Sequence, residues 1–369
     1  MKAPLTREAR KQRGAIAILA AIVLIALGGM IALSLNIGHK VSARTELQAS
    51  FDSGSLAGAL SFDGTTAGIT NAKSVGMYAA VQHAVDKYTV ALNSSDVVPG
   101  YWNATTKAFF PFGQSVTIGD SAIFLDQAAT PQYFNALKVG GGADGQSGHN
   151  SSLGVILGGF FGPNGNMRVA TSAVSVGGGP CSVTGCTLPL AVPAWSLLDA
   201  GGATACGTKI TMGFNFGQGK LVAFADIRQP SNNPPNFKDI QDQNALVQHC
   251  AATPDASDLP VTVGDVIQLT NGVLPQQAYD SFDPLICPVA AAPYAGCARY
   301  QIPVINIPQT PMNQTQAVVG FVRVVLLGQN RVDGNTASID IYIDCAGTST
   351  GPTGCASFGY NTKKVRLVQ

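Results

Sequence analysis

Eight cysteines, four histidines and one short serine motif are the residues here with the means to do chemistry. Cys181, Cys186, Cys206, Cys250, Cys287, Cys297, Cys345 and Cys355 all lie in the second half of a 369-residue chain. Thiols in such numbers either bind zinc or form disulfides. Zinc sites favour close Cys-x-x-Cys pairs, whereas the local spacings here leave four, nine and nine intervening residues. Disulfides are the expectation, and short loops close at low entropic cost. Neighbour pairing would join Cys181 to Cys186, Cys206 to Cys250, Cys287 to Cys297 and Cys345 to Cys355. Spacing favours that pattern without requiring it, since eight cysteines allow about 105 pairings.

The histidines are His39, His83, His149 and His249. A hydrolytic triad needs a serine set against one of them, and Gly347-Thr-Ser349-Thr-Gly351 has the spacing of a nucleophile elbow. Its strand-turn-helix setting is contradicted by Gly351-Pro352 and by the flanking Cys345 and Cys355. The glycines of Gly140-Gly-Gly142-Ala-Asp-Gly145 match a dinucleotide fingerprint. They are followed by Gln-Ser-Gly-His-Asn where a helix should open, so a loop is expected. Asp255-Ala-Ser257-Asp258-Leu259 approaches the Asp-x-Ser-x-Ser cation motif of adhesion domains, but Leu259 supplies no oxygen ligand. No catalytic residue, metal ligand or cofactor site is therefore expected, and an envelope hydrolase built on His249 stands as an alternative.

The elements that must position these residues begin with Gly14 to Gly38, which contains no Asp, Glu, Lys, Arg or His. At about 1.5 Å per residue such a helix crosses a hydrocarbon core of about 30 Å, and Ala15 to Leu35 is read as the membrane span. Lys2, Arg7, Arg10, Lys11 and Arg13 precede it and only Lys40 and Arg44 follow closely. The positive-inside rule then puts residues 1–13 in the cytoplasm and everything after His39 outside. A cleaved signal ending near Ala32-Leu33-Ser34 is the rival, but its apolar region should be only about 7 to 15 residues long. Ala17, Ala21, Gly28 and Ala32 are spaced so that another helix could approach.

Ala43, Leu47 and Phe51 continue the helical period, which predicts a stalk reaching about Leu60. Thr70 is a candidate N-cap for a second helix over about 71–92, carrying Tyr78, Val81, Val85, Tyr88 and Leu92 on one face with His83 at the surface. A hairpin is expected over Val97 to Phe112 around Asn103, with short strands at 116–118, 122–125, 136–139 and 169–176. Gly177-Gly-Gly-Pro180 marks a boundary, giving a helical stalk plus α+β region over 39–176 and a mostly β region over 181–369.

In that second region Ile210, Met212 and Phe214 alternate, as do Ile339, Ile341 and Ile343. Ala317 to Leu327 is apolar on both faces apart from Arg323 and should be a central strand, joined to the next through Asp333-Gly334. A short helix is possible near Ile240 to Val247. The fold class is thus α+β, with a long membrane helix, a second helix on a small antiparallel sheet, and a disulfide-braced β region. Net charge of +1 with 12% charged residues offers no surface for nucleic acid, and 46% hydrophobic content supports a folded chain.

Arg13-Gly14-Ala15-Ile16-Ala17, the span, and Leu47-Gln48-Ala49-Ser50-Phe51-Asp52-Ser53-Gly54 together resemble the TadG-like proteins of tight-adherence (Flp) pilus assembly. Gly14, Leu47, Gln48 and Asp52 fall on the family's pattern. The resemblance implies a non-enzymatic, single-pass protein of the bacterial inner membrane whose partners are the membrane and other pilus-assembly or envelope proteins, with no small-molecule substrate. A secreted or surface adhesin is the other alternative. Leu19 stands where prepilins carry Glu five residues after the cleavage glycine, so cleavage is not implied.

Overall fold

The computed structural model describes residues 7–85, 88–90, 92–118, 121–140, 152–154, 166–183, 186–200, 202, 204–214, 219–226, 247, 260–270, 279–289, 291–307, 315–332, 336–346, 353–359 and 364–368. The fold is α+β. Helix α1 runs unbroken over Arg7–Ala59, through a sequence with no proline between Pro4 and Pro99. Its second part is amphipathic, burying Ala43, Leu47, Phe51 and Ala59.

Helix α2 spans Thr66–Val81, not 71–92. Its N-cap is Thr65, whose hydroxyl accepts the Gly68 N–H at 2.9 Å, while Asp63 in turn accepts from the Thr65 N–H and hydroxyl. Thr70, the expected cap, lies inside the helix and donates back to the Thr66 carbonyl. The buried face is Gly68, Ile69, Ala72, Gly76 and Ala80, while Tyr78 is 68% exposed. The cause is close helix packing. A Cβ on Gly54 would lie 2.7 Å from the Gly76 carbonyl oxygen, and one on Gly58 would lie 2.5 Å from that of Ala72. Only small residues fit that crossing, so the large side chains of α2 turn away. Beyond α2 the chain forms a ribbon of Ala84–Val85 with Tyr88–Thr89 in place of the further helix expected there.

Both helices lie on a five-stranded antiparallel sheet, ordered Arg366–Leu367, Ser172–Val176, Ala136–Gly140, Val97–Asn103, Ala108–Pro111. The last two strands are the expected hairpin, and a separate ribbon pairs Ser115–Ile118 with Ser121–Phe124. Leu137, Val139 and Ala173 meet Leu47, Phe51 and Ile69 in one core that continues into the second half of the chain.

There the strand Thr315–Val332 is central, as its two apolar faces demand. It pairs with Val266–Thr270, Tyr300–Ile305, Thr336–Ile343 and, in parallel, Thr353–Ser357. Leu190–Pro193, Ala223–Asp226, Val266–Thr270, Thr315–Val332 and Tyr300–Ile305 pair in a closed ring, the last returning in parallel to the first. Closing the ring leaves none of these five strands as a free edge at its pairing sites. Lys209–Gly213 extends the sheet beyond Thr336–Ile343. The expected Asp333-Gly334 turn, residues 240–246 of the expected short helix and the glycine-rich loop beyond Gly140 lie outside the described residues.

Three disulfides are described: Cys181–Cys355, Cys206–Cys345 and Cys287–Cys297. Neighbour pairing holds for the last alone and is otherwise corrected, because strand pairing decides which cysteines meet. Gly179 lies opposite Cys355 in an antiparallel pair, which carries Cys181 to the same place. The Gly207 N–H bonds the Ile343 carbonyl, which sets Cys206 beside Cys345. Cys186 is disulfide-bonded as well, and Cys250 lies outside the described residues.

Candidate functional site

Among the described residues no group of three or more His, Cys, Asp or Glu side chains is placed to hold a metal ion. His39 sits half-buried on α1 and His83 follows the end of α2, far apart along the chain and on separate elements. His149, His249, Ser349 and Asp255 to Leu259 lie outside the described residues. What the structure does bring together is the set Leu47, Gln48 and Asp52.

Leu47 and Gln48 are adjacent on α1, and Asp52 is one turn above Gln48, so Gln48 and Asp52 share a face. Leu47 is buried in the core between α1 and the first sheet. The Gln48 side-chain amide donates to Asp52 Oδ1 at 2.7 Å and to the Ser172 carbonyl at 3.4 Å, and its oxygen accepts from the Thr171 hydroxyl. Its hydrogen-bonding groups thus join the helix to the start of the strand Ser172–Val176. One turn beyond Phe51, Ser55 shares a hydrogen bond of 2.7 Å with Ser175 of the same strand, both fully buried. Ser50, also fully buried, donates to the Ala80 carbonyl at the end of α2 at 2.9 Å.

A buried hydroxyl or amide costs roughly 1–3 kcal/mol if left without a partner. Apart from Asp52 on α1 itself, the partners named here, Ser172, Thr171, Ser175 and Ala80, lie outside the helix, so the polar groups fix the register of α1 on its seat. Together with the Gly54 and Gly58 crossing, they make residues 43–59 a core helix rather than a free stalk. The helical continuation to about Leu60 is present as expected, with its face from Ala43 to Ala59 packed into the main core.

Below that seat the helix changes character. Among the described residues α1 alone is long and apolar enough to cross a membrane. Ile22, Leu24, Ile25, Met30 and Ile31 all project into open surroundings. Exposed apolar area on this scale is disfavoured in water by about 25 cal/mol per Å². The structure is consistent with a single-pass anchor continuous with a rigidly docked seat. Gly14 lies within this helix.

Electrostatics elsewhere is that of a folded body. Asp344 receives Arg299 at 3.0 Å and Arg323 at 3.6 Å, which explains how Arg323 is tolerated in the central strand. Lys209 pairs with Asp340 at 2.7 Å on the outer strand. Burial drives the Tyr133 hydroxyl up to about 12, tempered by a bond with Gln132.

Residues 14–61 match the family model described as putative Flp pilus-assembly TadE/G-like. The match therefore begins in the apolar helix and ends just past the seat, covering Gly14, Leu47, Gln48 and Asp52. No curated protein and no solved structure matches the chain.

Proposed function

We propose that this protein is a non-enzymatic, membrane-anchored component of a tight-adherence (Flp) pilus-assembly machine, working through protein contacts of its large region beyond the membrane. The observation that carries the reading is the family match over residues 14–61, which coincides with one apolar helix and its docking seat. The basic residues Arg7, Arg10, Lys11 and Arg13 before the apolar stretch favour a cytoplasmic N-terminus in the bacterial inner membrane, with residues after His39 outside. Disulfides that tie distant strands suit an oxidising compartment beyond that membrane. On this reading the chain before the boundary expected near Gly177 to Pro180 carries the helices and the β-rich chain after it supplies contacts to partners.

Alkaline phosphatase fused after residue 60 should be active, and an inactive fusion overturns the orientation. Deleting the gene in the source cell should impair pilus display, and Ser349→Ala and His249→Ala variants should restore it as well as the unmodified gene. Failure of those variants would favour a hydrolase. Rescue by the chain lacking residues 1–38 would overturn the anchored reading in favour of a released adhesin.

A further inference from the structure

Four neighbouring segments of the β region carry one polar residue each, side by side. Thr187 bridges Gln301 in parallel, Gln301 lies opposite Arg323, and the Asp344 N–H bonds the Arg323 carbonyl at 2.9 Å. Residues directly opposite one another in a sheet share a face. The side chains that flank the row, Cys186 and Leu188, Tyr300 and Ile302, Val322 and Val324, belong to the main core, so the row faces the other way.

That other face leads into the closed ring. Ala191, Ala223, Ile267, Ile305 and Phe321, one from each ring strand, pack in a cluster of their own, the interior of the ring. Gln301 stands four residues before Ile305 and Arg323 two after Phe321, so at a period of two both continue the interior face at one end. Barrel mouths are a common place for ligands.

The row's polar groups are not used up by the protein. Thr187 is 2% exposed, yet neither its hydroxyl nor the Gln301 amide oxygen has a hydrogen-bond partner among the described residues. Turned about its last bond, the Gln301 amide presents Nε2 at the same position and becomes a donor. The Arg323 guanidinium reaches Asp344 only at 3.6 Å, and its side chain is 31% exposed. Asp344 already holds Arg299 at 3.0 Å, so two guanidinium groups share one carboxylate and one positive charge is left over. Lys209 and Asp340, further along, neutralise each other.

We infer that Thr187, Gln301 and Arg323 bind a carboxylate at the mouth of the ring. Three donors rise from successive strands about 4.8 Å apart, and the planar Arg323 fork matches a planar anion. One surplus positive charge suits a monoanion, whereas the second charge of a phosphate would find no partner in the row. The carboxylate belongs to a free small molecule or to an acidic side chain of a partner protein. The site stands whether or not the chain serves a pilus.

Acetate, titrated against the full chain in phosphatidylcholine nanodiscs with chloride holding the ionic strength constant, is the probe. Saturation-transfer NMR should show it bound to the unmodified chain. Arg323→Gln should weaken binding about tenfold or more, since both charge and fork are lost. Thr187→Val removes a hydroxyl that has no partner in the fold, so it should keep the thermal midpoint while weakening acetate several-fold. Lys209→Gln, away from the row, should bind acetate as the unmodified chain does. The site is overturned by an acetate signal no stronger than that of Arg323→Gln, by an equal loss in Lys209→Gln, or by full binding in Thr187→Val. A peptide with one glutamate that binds more tightly than acetate, and than its own glutamine version, assigns the carboxylate to a partner protein; binding of acetate without the peptide assigns it to a free small molecule.

Discussion

Gln48 lets the seat be tested with a single side chain. Replacing it with alanine removes the donor to Asp52 Oδ1, the longer contact to the Ser172 carbonyl and the acceptor used by the Thr171 hydroxyl. Each such bond contributes about 1 kcal/mol net, and the 3.4 Å contact about half that, so Gln48→Ala should cost roughly 2.5 kcal/mol. In a unit of this size about 1 kcal/mol moves the thermal midpoint by roughly 2 °C, which gives a drop of about 5 °C. Trp102, buried in the same sheet, makes the change readable by intrinsic fluorescence on the full chain in nanodiscs. Gln48→Glu should be worse at neutral pH, because it loses both donors and sets a carboxylate against Asp52. That repulsion raises the folded-state pKa of Glu at this position, so the lost stability should return as pH falls through it. Asp52→Asn keeps an acceptor for the Gln48 amide and should shift the midpoint by less than half as much as Gln48→Ala. A midpoint unchanged in Gln48→Ala, or an Asp52→Asn variant as damaged as Gln48→Ala, refutes the role given to the amide.

Gly58→Val should prevent accumulation of trypsin-resistant protein, since even its Cβ would collide with Leu137 Cδ2 and stand 2.5 Å from the Ala72 carbonyl oxygen; Gly38→Ala, with nothing within 4 Å, should be tolerated. Removing Cys206–Cys345, which spans 139 residues, should destabilise by about 5 kcal/mol in the loop-entropy account, against about 3 kcal/mol for Cys287–Cys297, which spans 10, and a reversed order of melting temperatures for the double-serine variants would contradict it. The Asp126 carboxylate is held below its usual range by the N–H groups of Ala129 and Ala128. Its folded pKa is depressed, so the ordering it gives the turn is complete above the unfolded value of about 4 and lost as pH falls through the lower folded value; amide exchange at Ala128 and Ala129 should accelerate over that acid range and nowhere above it.

The apolar helix, the Ala43–Leu47–Phe51 face, the hairpin around Asn103 and the central strand with its lone Arg323 are all legible in the sequence. Each is written in a local period or a local absence of charge. Helix α2 falls elsewhere than its large residues suggest because its true contact face is Ala72, Gly76 and Ala80, which carry almost no hydropathy signal, while the bulky Tyr78 points outward. Close packing against Gly54 and Gly58 overrides the larger side chains. The cysteine pairs escape sequence reasoning for a different reason: their partners are set by strand neighbours 139 and 174 residues away, where loop length is irrelevant once the sheet has formed. At the seat, Leu47, Gln48 and Asp52 can be named from the family pattern. Their partners Thr171 and Ser172 cannot, because nothing local marks which strand a helical glutamine will meet.

The same long-range pattern ties the seat of the anchor to the far end of the chain. Arg366–Leu367 completes the sheet on which α1 lies by pairing with Ser175 and Val176. Asn135, fully buried, accepts the Trp102 N–H at 2.6 Å and donates to the Gly354 carbonyl, so one side chain bridges the first sheet and the C-terminal strand. Gly64, ahead of α2 and at φ +83°, lies so near the Ser357 carbonyl that a Cβ there would collide with its oxygen. Phe358 packs edge-on against Tyr133. Contacts of such sequence separation are slow to form, since a long loop must close before they contribute. Residues 43–59 therefore complete their packing only once residues 353–367 have joined the sheets, and Cys181–Cys355 holds the returning strand in place. Completion of the helix seat thus depends on both ends of the chain.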